Sequence, residues 1–409
     1  MIQVAQFPCL GLAKRYHRLT NDLKWSVDLY DAAFVFLFLW IFYIYIGYPI
    51  IIYIMSLINS RPPKLSPYEP NITILIPAYN ESKHIADTIK NKISLNYPRE
   101  KVEIIVISDE SDDGTDEIVT SFTSQGVKLI RQVPRQGKTS GLNLAIPHAS
   151  GEIIIFSDAN SIYEEDAVQY LLQNFSDPSI GYVTGKMVYT NSEGAIVGDG
   201  CGAYMRYENI LRSRETLVGS IVGVDGGIDA VRRDLYRPMN ADQLPDFVLP
   251  LSVVEQGFRV VYDERALLKE EALSSSSSEY RMRVRVSLRA LWALFDKRKL
   301  FNPLRFPLFS FELISHKLLR YLAFVPQVLL FVINAYLAST NQLYAVIFVF
   351  QLFFYFLVLL GYLAERRNIE APSYIALPYY LSLVNLAAAQ AAWMFVRGKK
   401  VVIWKPRVG

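Results

Sequence analysis

Three short apolar runs, each ending in a polar and mostly acidic cluster, constrain this chain more than any other feature. The first, residues 72–76, leads into Pro77, Tyr79, Asn80 and Glu81. The second, residues 104–107, ends at Asp109, Asp112 and Asp113, and the third, residues 153–156, at Asp158 and Asn160. Apolar runs without polar alternation read as strands covered on both faces, which predicts a parallel sheet with helices on either side. In open α/β sheets ligands bind beyond the carboxyl ends of the strands, and all three clusters fall there.

The segments between agree with that reading. Residues 81–93, 114–124, 138–149 and 164–174 have helical patterns, and residues 127–132 read as another strand. Further on, 180–189 and 259–262 read as strands, with helices at 204–217 and 247–257. Strand alternating with helix defines an α/β domain, with a change to a mixed sheet near residue 180.

A second feature sets where this domain sits. Residues 32–59 carry no charge. At about 1.5 Å per residue they span roughly 30 Å of hydrocarbon, longer than a signal-peptide core, so a retained anchor is expected. Arg61 and Lys64 follow at once and favour a cytoplasmic side for the next domain. Parity then puts the N-terminus outside, against the weight of its own Lys14, Arg15, Arg18 and Lys24. After the serine run at 274–278, a flexible loop by composition, Arg281, Arg283, Arg285 and Arg289 alternate with apolar residues in a basic amphipathic segment. Three more candidate spans follow at 318–337, 343–363 and 374–396, and Arg366 and Arg367 mark a cytoplasmic end. If the last one crosses, its basic tail lies outside, against the positive-inside tendency. Pro378, Asn385 and Gln390 also permit a kinked or re-entrant form; the span is the reading carried forward. The expected division is 1–31 N-terminal segment, 32–59 anchor, 70–270 cytoplasmic α/β domain, 279–315 interface helices, 316–397 membrane helices and 398–409 basic tail.

Several classes are set aside. A net charge of +3 gives no argument for nucleic acid, and two cysteines, Cys9 and Cys201, make no disulfide framework. The four histidines are scattered without metal-ligand spacing. No GxGxxG follows the first strand, and the run Gln136-Gly137-Lys138-Thr139 is not a phosphate loop, because Gln132 stands where that motif needs glycine. A solute transporter is disfavoured by the large soluble domain.

Each candidate site residue has a plain structural reading beside the functional one. Asp109 at a strand end can accept hydrogen bonds from a base or ribose, or cap a helix, and Asp113 can be only a cap. Asp158 with Asn160 can hold a divalent cation against a diphosphate, Asn160 being the poorer ligand; such residues also serve ordinary turns. Lys138 can touch a phosphate or stay solvated. Asp246 can take a proton from an acceptor hydroxyl, or cap the helix it opens. The arginines from Arg281 to Arg289 can bind diphosphate or lipid headgroups, or simply face an interface.

In this order, the stretches resemble the family 2 glycosyltransferases, in the membrane-embedded, processive-like branch of hyaluronan, chitin-oligosaccharide and poly-N-acetylglucosamine synthases. The resemblance covers about residues 72–286. It implies a glycosyltransferase-A (Rossmann-like) mixed-sheet domain flanked by transmembrane α-helices, and an inverting transfer from a nucleotide-diphosphate sugar, UDP-linked by expectation, with Mg2+ or Mn2+. The family's PxYNE opening falls on Pro77, Tyr79, Asn80 and Glu81, which then border the nucleotide. Its DDGSxDGT stretch falls on residues 108–115, making Asp109 the uracil or ribose contact, with Ser108 in place of a frequent Asp. Its DxD motif falls on Asp158 and Asn160, the metal–diphosphate pair. Its ED motif falls on Pro245 and Asp246, which makes Asp246 the catalytic base and replaces its acidic neighbour. Its (Q/R)xxRW motif matches at Arg285 and departs at Met282 and Val286, so long-chain processivity is not implied. Arg285 or Lys138 would help neutralise the leaving diphosphate. Selectivity is expected around Lys186, Asp225 and Glu208. The implied partners are a sugar nucleotide, a lipid-linked or glycan acceptor and the bilayer, with the catalytic domain on the cytoplasmic side of a bacterial inner membrane. A silent scaffold subunit of a polysaccharide export complex is the alternative, on the strength of Asn160, Pro245 and Val286.

Overall fold

The computed structural model describes residues 29–190, 196–271, 276–367, 369 and 371–402. The expected N-terminal segment, part of the serine run and the end of the basic tail lie outside these residues. Ser276, Ser277 and Ser278 open a helix, so the expected loop does not extend through them.

Eight strands make one sheet: β1 (Ile72–Ala78), β2 (Val102–Ser108), β3 (Val127–Arg131), β4 (Ile153–Phe156), β5 (Ile162–Tyr163), β6 (Ile180–Thr190), β7 (Asp229–Arg232) and β8 (Arg259–Glu271), in the order β3-β2-β1-β4-β7-β6-β8-β5. β1 to β4 pair in parallel, and β7 then enters antiparallel between β4 and β6. β5 and β7 run against the other strands, so in chain order the mixed character begins at β5, earlier than the expected change near residue 180, and the strand at 180–190 itself runs parallel to β1–β4. β5 and β7 escape the pattern reading because two and four residues are too short to show a period. β8 runs on to Glu271, beyond the expected end at Tyr262, because its second half pairs with β6 and β5.

Helix α1 (Leu29–Ile58) precedes the sheet. Within the domain lie α2 (Ile85–Ile93), α3 (Thr115–Ser121), α4 (Lys138–Ala145), α5 (Ala167–Gln173), α6 (Ile196–Val218) and α7 (Pro245–Glu255). After it come α8 (Ser276–Asp296), α9 (Pro307–Tyr321), α10 (Phe324–Leu337), α11 (Gln342–Arg366) and α12 (Ser373–Val396). The strands bury alternate residues on opposite faces, as a two-residue period requires. Ile74, Ile104 and Ile155 join Ile85 and Val119 of α2 and α3 in one core. Leu75, Ile105 and Ile154 join Leu142, Val248 and Ala290 of α4, α7 and α8 in the other. The chain turns from β3 to β4 across β1, so the switch point of the sheet lies at the carboxyl ends of β1 and β4. Pro77 is tolerated in a central strand because β4 pairs with β1 only as far as Leu75.

At the opposite edge Glu103 ties three strands. It accepts from Thr73 Oγ1 at 2.6 Å, Lys128 Nζ at 2.6 Å and Ser150 N at 2.8 Å. Burial alone pushes its carboxyl up, but these donors win and hold it at about 2. A depressed pKa stabilises the fold above the unfolded value and loses that stabilisation as pH falls through the folded one. Glu103→Gln is thus expected to cost about 2 kcal/mol at neutral pH. It should also flatten the loss of stability between about pH 4.5 and 2, read by urea unfolding across that range.

Helices α1, α11 and α12 are long and apolar enough to cross a membrane, and α9 with α10, bent by 58°, makes a fourth candidate. Inside α1, Pro49 cannot donate to Tyr45, and the backbone relaxes into a π turn at Tyr43–Gly47. Tyr207 Oη of α6 donates to the freed Tyr45 carbonyl at 2.9 Å, which satisfies it inside an apolar helix. The last helix follows α8 closely. Tyr280 Oη donates to Gln390 at 2.6 Å, Arg283 donates to Tyr380 Oη at 2.6 Å, and Leu288 and Leu291 pack on Ala391. Beyond α12 the chain returns to the sheet domain: Trp292 Nε1 donates to Lys399 O at 2.9 Å, and Lys400 pairs with Asp242 at 2.7 Å. The described part of the basic tail therefore packs against the sheet domain.

Candidate active site

The three polar clusters meet at the switch point. Tyr79 follows β1, and its ring carries the Arg135 guanidinium 3.2 Å from the centroid. Arg135 Nε donates to Asp109 Oδ2 at 3.2 Å. Asp109, only 2 % exposed, also accepts from the Gln136 and Gly137 amides at 2.9 and 3.1 Å and from Gln132 Nε2. Asp109 is thus the organiser of the loop 132–137, and it is not the cap of α3. The neighbouring acids are structural: Asp112 Oδ1 accepts from Asn80 Nδ2 at 2.8 Å, and Asp113 accepts from the Ser82 and Thr115 amides. Burial opposes the charge on Asp113, but its bonds from Thr115 and Ser82 hold it at about 2. Glu81 starts α2 with its backbone, its carbonyl accepting from the His84 and Ile85 amides.

Gly137 ends this loop with φ +90°, and a Cβ there would stand 2.9 Å from the Val402 carbonyl. Gly137→Ala is expected to cost about 2 kcal/mol through that backbone region and to weaken nucleotide binding, checked by thermal unfolding and UDP titration.

Lys138 begins α4 and points into the centre. Its Nζ is 2.6 Å from Asp158 Oδ1 and 3.6 Å from Asp246 Oδ1. Asp158 follows β4, and Asp246 lies in the first turn of α7. Pro245 is the first residue of that helix, where a missing N–H costs nothing, so its departure from the ED motif has a local reason. Two positive-φ glycines, Gly226 and Gly227, let the chain pass between the two acids. A Cβ would stand 2.8 Å from Asp246 Oδ2 at Gly226, and 3.6 Å from Asp158 Oδ2 at Gly227.

Burial pushes the Asp246 carboxyl up; Lys138 pulls it down, Asp158 pushes it up again, and it rests above the ordinary aspartate range. Burial disfavours the Lys138 ammonium, but Asp158 and Asp246 outweigh it and hold the charge. Arg285 of α8 feels both acids, although burial lowers it overall. Asp229, fully buried at the start of β7, is pushed well above its usual range by burial and then by the Asp246 charge.

Other expectations come apart here. Arg289 is a tether: it donates to Thr139 Oγ1 at 2.8 Å and to the Gln243 carbonyl, fixing the approach to α7. Asp225 is paired with Arg212 at 2.6 Å. Glu208 is bound by His316 at 3.1 Å and by Arg320, and Glu215 by His316 and Tyr48 at 2.6 Å each. Glu208 therefore joins α6 to α9 instead of lining the site, because a buried charge keeps whichever partners remove its desolvation cost. Arg135 and Gln132 are site residues that pattern reading missed. No sequence signal marks them, whereas the Gly-Gly pair at 226–227 was a visible turn signal.

Among the described residues no cluster of three or more His, Cys, Asp or Glu side chains can hold a metal. The donor set is one of hard oxygens at Asp158 and Asn160, and an ammonium already sits between Asp158 and Asp246. That chemistry fits a hard divalent cation that keeps few protein ligands and completes its shell with phosphate oxygens.

The sheet order β3-β2-β1-β4-β7-β6-β8-β5, with acids gathered at its switch point, defines an open α/β domain with its ligand edge at the ends of β1 and β4. Residues 73–239 match the family model Glycosyl transferase family 2. The chain is 27 % identical over 216 residues to the poly-beta-1,6-N-acetyl-D-glucosamine synthase of Staphylococcus aureus (strain COL), covering 51 % of this chain and 52 % of that protein. It is 26 % identical over 242 residues to the synthase of the same name from Staphylococcus epidermidis, covering 56 % and 58 %. The chain thus spans about half the length of the curated relatives it matches. Among solved structures it is similar to the mannosyltransferase PcManGT from Pyrobaculum calidifontis, in complex with GDP-Man and Mn2+, with a TM-score of 0.67 and 20 % identity over 89 % of this chain and 99 % of that one. That likeness carries the fold, which is of the glycosyltransferase-A type.

Proposed function

We propose that this protein is a membrane-bound inverting glycosyltransferase that moves a sugar from a UDP-linked donor to a lipid-linked or glycan acceptor. The observation that carries the reading is the Lys138 ammonium between Asp158 and Asp246 at the switch point of the sheet. In this reading one acid serves the donor and the other the acceptor.

In this reading the nucleoside lies against Pro77, Tyr79 and Asp109. Asp158, with Asn160, holds Mg2+ or Mn2+, which when bound neutralises the donor diphosphate. Lys138 and Arg285 add charge to the leaving group. Asp246 accepts the proton of the acceptor hydroxyl as that oxygen attacks the anomeric carbon from the face opposite the diphosphate. A base whose pKa is lifted by burial binds that proton more strongly than a solvated aspartate. Helices α8 and α12 keep the acceptor side at the bilayer surface, with the sheet domain cytoplasmic.

The test is UDP release by detergent-solubilised protein across a panel of UDP-sugars with Mn2+ or Mg2+. Release with one sugar, dependent on the ion, supports the reading and names the donor. No release with any sugar and no UDP binding overturns it, and binding without release in the presence of lipid and glycan acceptors favours a silent scaffold.

A further inference from the structure

The cation site described above holds a single carboxylate, the lower end of the usual number. Asp158 supplies it and Asn160 adds a neutral amide; a divalent ion bound against a diphosphate is commonly held by one or two carboxylates. A second carboxylate stands beside that amide. Asn160 Nδ2 donates to Glu270 Oε1 at 3.4 Å, and Glu270 is 2 % exposed. The register brings it there: Ile162 of β5 pairs with Lys269 of β8, so Glu270 flanks the turn that carries Asp158 and Asn160. Leu268 shares a strand face with Glu270, since alternate residues do. Leu268 also reaches the Gly227 turn: a Cβ on Gly227 would meet Leu268 at 3.0 Å, Ser161 Oγ at 3.3 Å and Asp158 Oδ2 at 3.6 Å. The face of β8 that carries Glu270 is therefore the face that abuts the Asp158 turn.

We propose that Glu270 supplies the second carboxylate of the cation–diphosphate site, in place of the acid that Asn160 replaces. The inference rests on the donor and metal reading above. With its nitrogen turned to Glu270, the Asn160 amide offers its oxygen as the remaining ligand atom. Asp158, Asn160 and Glu270 then form a hard-oxygen set with a charge of −2, which matches one divalent ion. The charge is divided between the loop after β4 and the end of β8, a strand that follows β4 by about a hundred residues. A sequence motif confined to three consecutive positions misses it for that reason.

The experiment is Mn2+ binding to the full-length detergent-solubilised protein in the presence of UDP, followed by electron paramagnetic resonance, which needs no turnover. Glu270→Gln keeps the hydrogen-bond acceptor for Asn160 and removes only the charge; it is expected to weaken Mn2+ binding about tenfold or more. Glu270→Asp, which keeps the charge, should retain most of the affinity. Adding Asn160→Asp to the Glu270→Gln protein should restore Mn2+ binding, which also shows that the variant is folded. If Asp158→Ala abolishes Mn2+ binding while Glu270→Gln binds within twofold of wild type, Glu270 is only a partner of Asn160 and the proposal is overturned with the metal reading intact. If the wild-type protein binds UDP but no Mn2+, the metal reading fails and the proposal falls with it.

Discussion

Replacing Asp246 by Asn should lower kcat by about a thousandfold, within the range that removal of a general base produces, while UDP binding stays near wild type. The reasoning is geometric. Asp246 faces Lys138 and the Gly226 turn, at a side-chain exposure of 22 %, whereas Tyr79 and Asp109 are joined to each other through Arg135. The substitution is isosteric, so the first turn of α7 and its Pro245 start should persist, and an unchanged melting temperature would separate lost chemistry from lost fold. In the wild type, rate should climb with pH through an apparent pKa above the ordinary aspartate value, since burial and Asp158 raise it and only the ionised form accepts a proton. A variant with kcat within tenfold of wild type would remove Asp246 from the role of base. Loss of UDP binding in parallel would instead point to a structural part for this acid.

Lys138→Ala should have the next largest effect, about a hundredfold in kcat, because it removes a cation from the place where the leaving diphosphate gathers charge. Its second consequence has a definite sign. Lys138 pulls the Asp246 carboxyl down, so its loss should move the acidic limb of the rate profile to higher pH. Lys138→Arg keeps the charge and should recover part of the rate and most of the profile. A hundredfold loss with an unshifted profile would assign Lys138 to the donor alone, and no loss would remove it from the site. The same substitution leaves Asp158 and Asp246 without the ammonium between them, so a drop in stability is expected as well, read by thermal unfolding with and without UDP.

Much of the fold was legible because the parallel half of the sheet is built from runs that hide on both sides. Isoleucine-rich strands 1, 2 and 4 have nowhere to go except the middle of two helical layers, and their polar ends must therefore line the carboxyl edge. The antiparallel half was less legible. β5 and β7 are too short to show a period, and β8 continues through Asp263, Glu264, Arg265, Lys269 and Glu270, a charged stretch that reads as loop. It is a strand because β6 pairs with it along almost its whole length, a non-local interaction that overrides composition. The departures in the motifs divide in the same way. Pro245 has a local explanation at a helix start, whereas the company of Asn160 depends on a strand a hundred residues away.

By itself the sequence determined the strands of the parallel half of the sheet, which stretch is apolar and long enough for a membrane, and which acids stand at strand ends, since these follow from local period and residue type. Only the tertiary structure decided what each acid faces. Asp109 holds a loop, Asp113 ties two turns, Glu208 binds a membrane-side helix, and Asp158 and Asp246 share one lysine. All five are carboxylates and look alike in the chain. They differ because burying a charge is costly, and the fold alone fixes which cation or amide lies close enough to offset that cost.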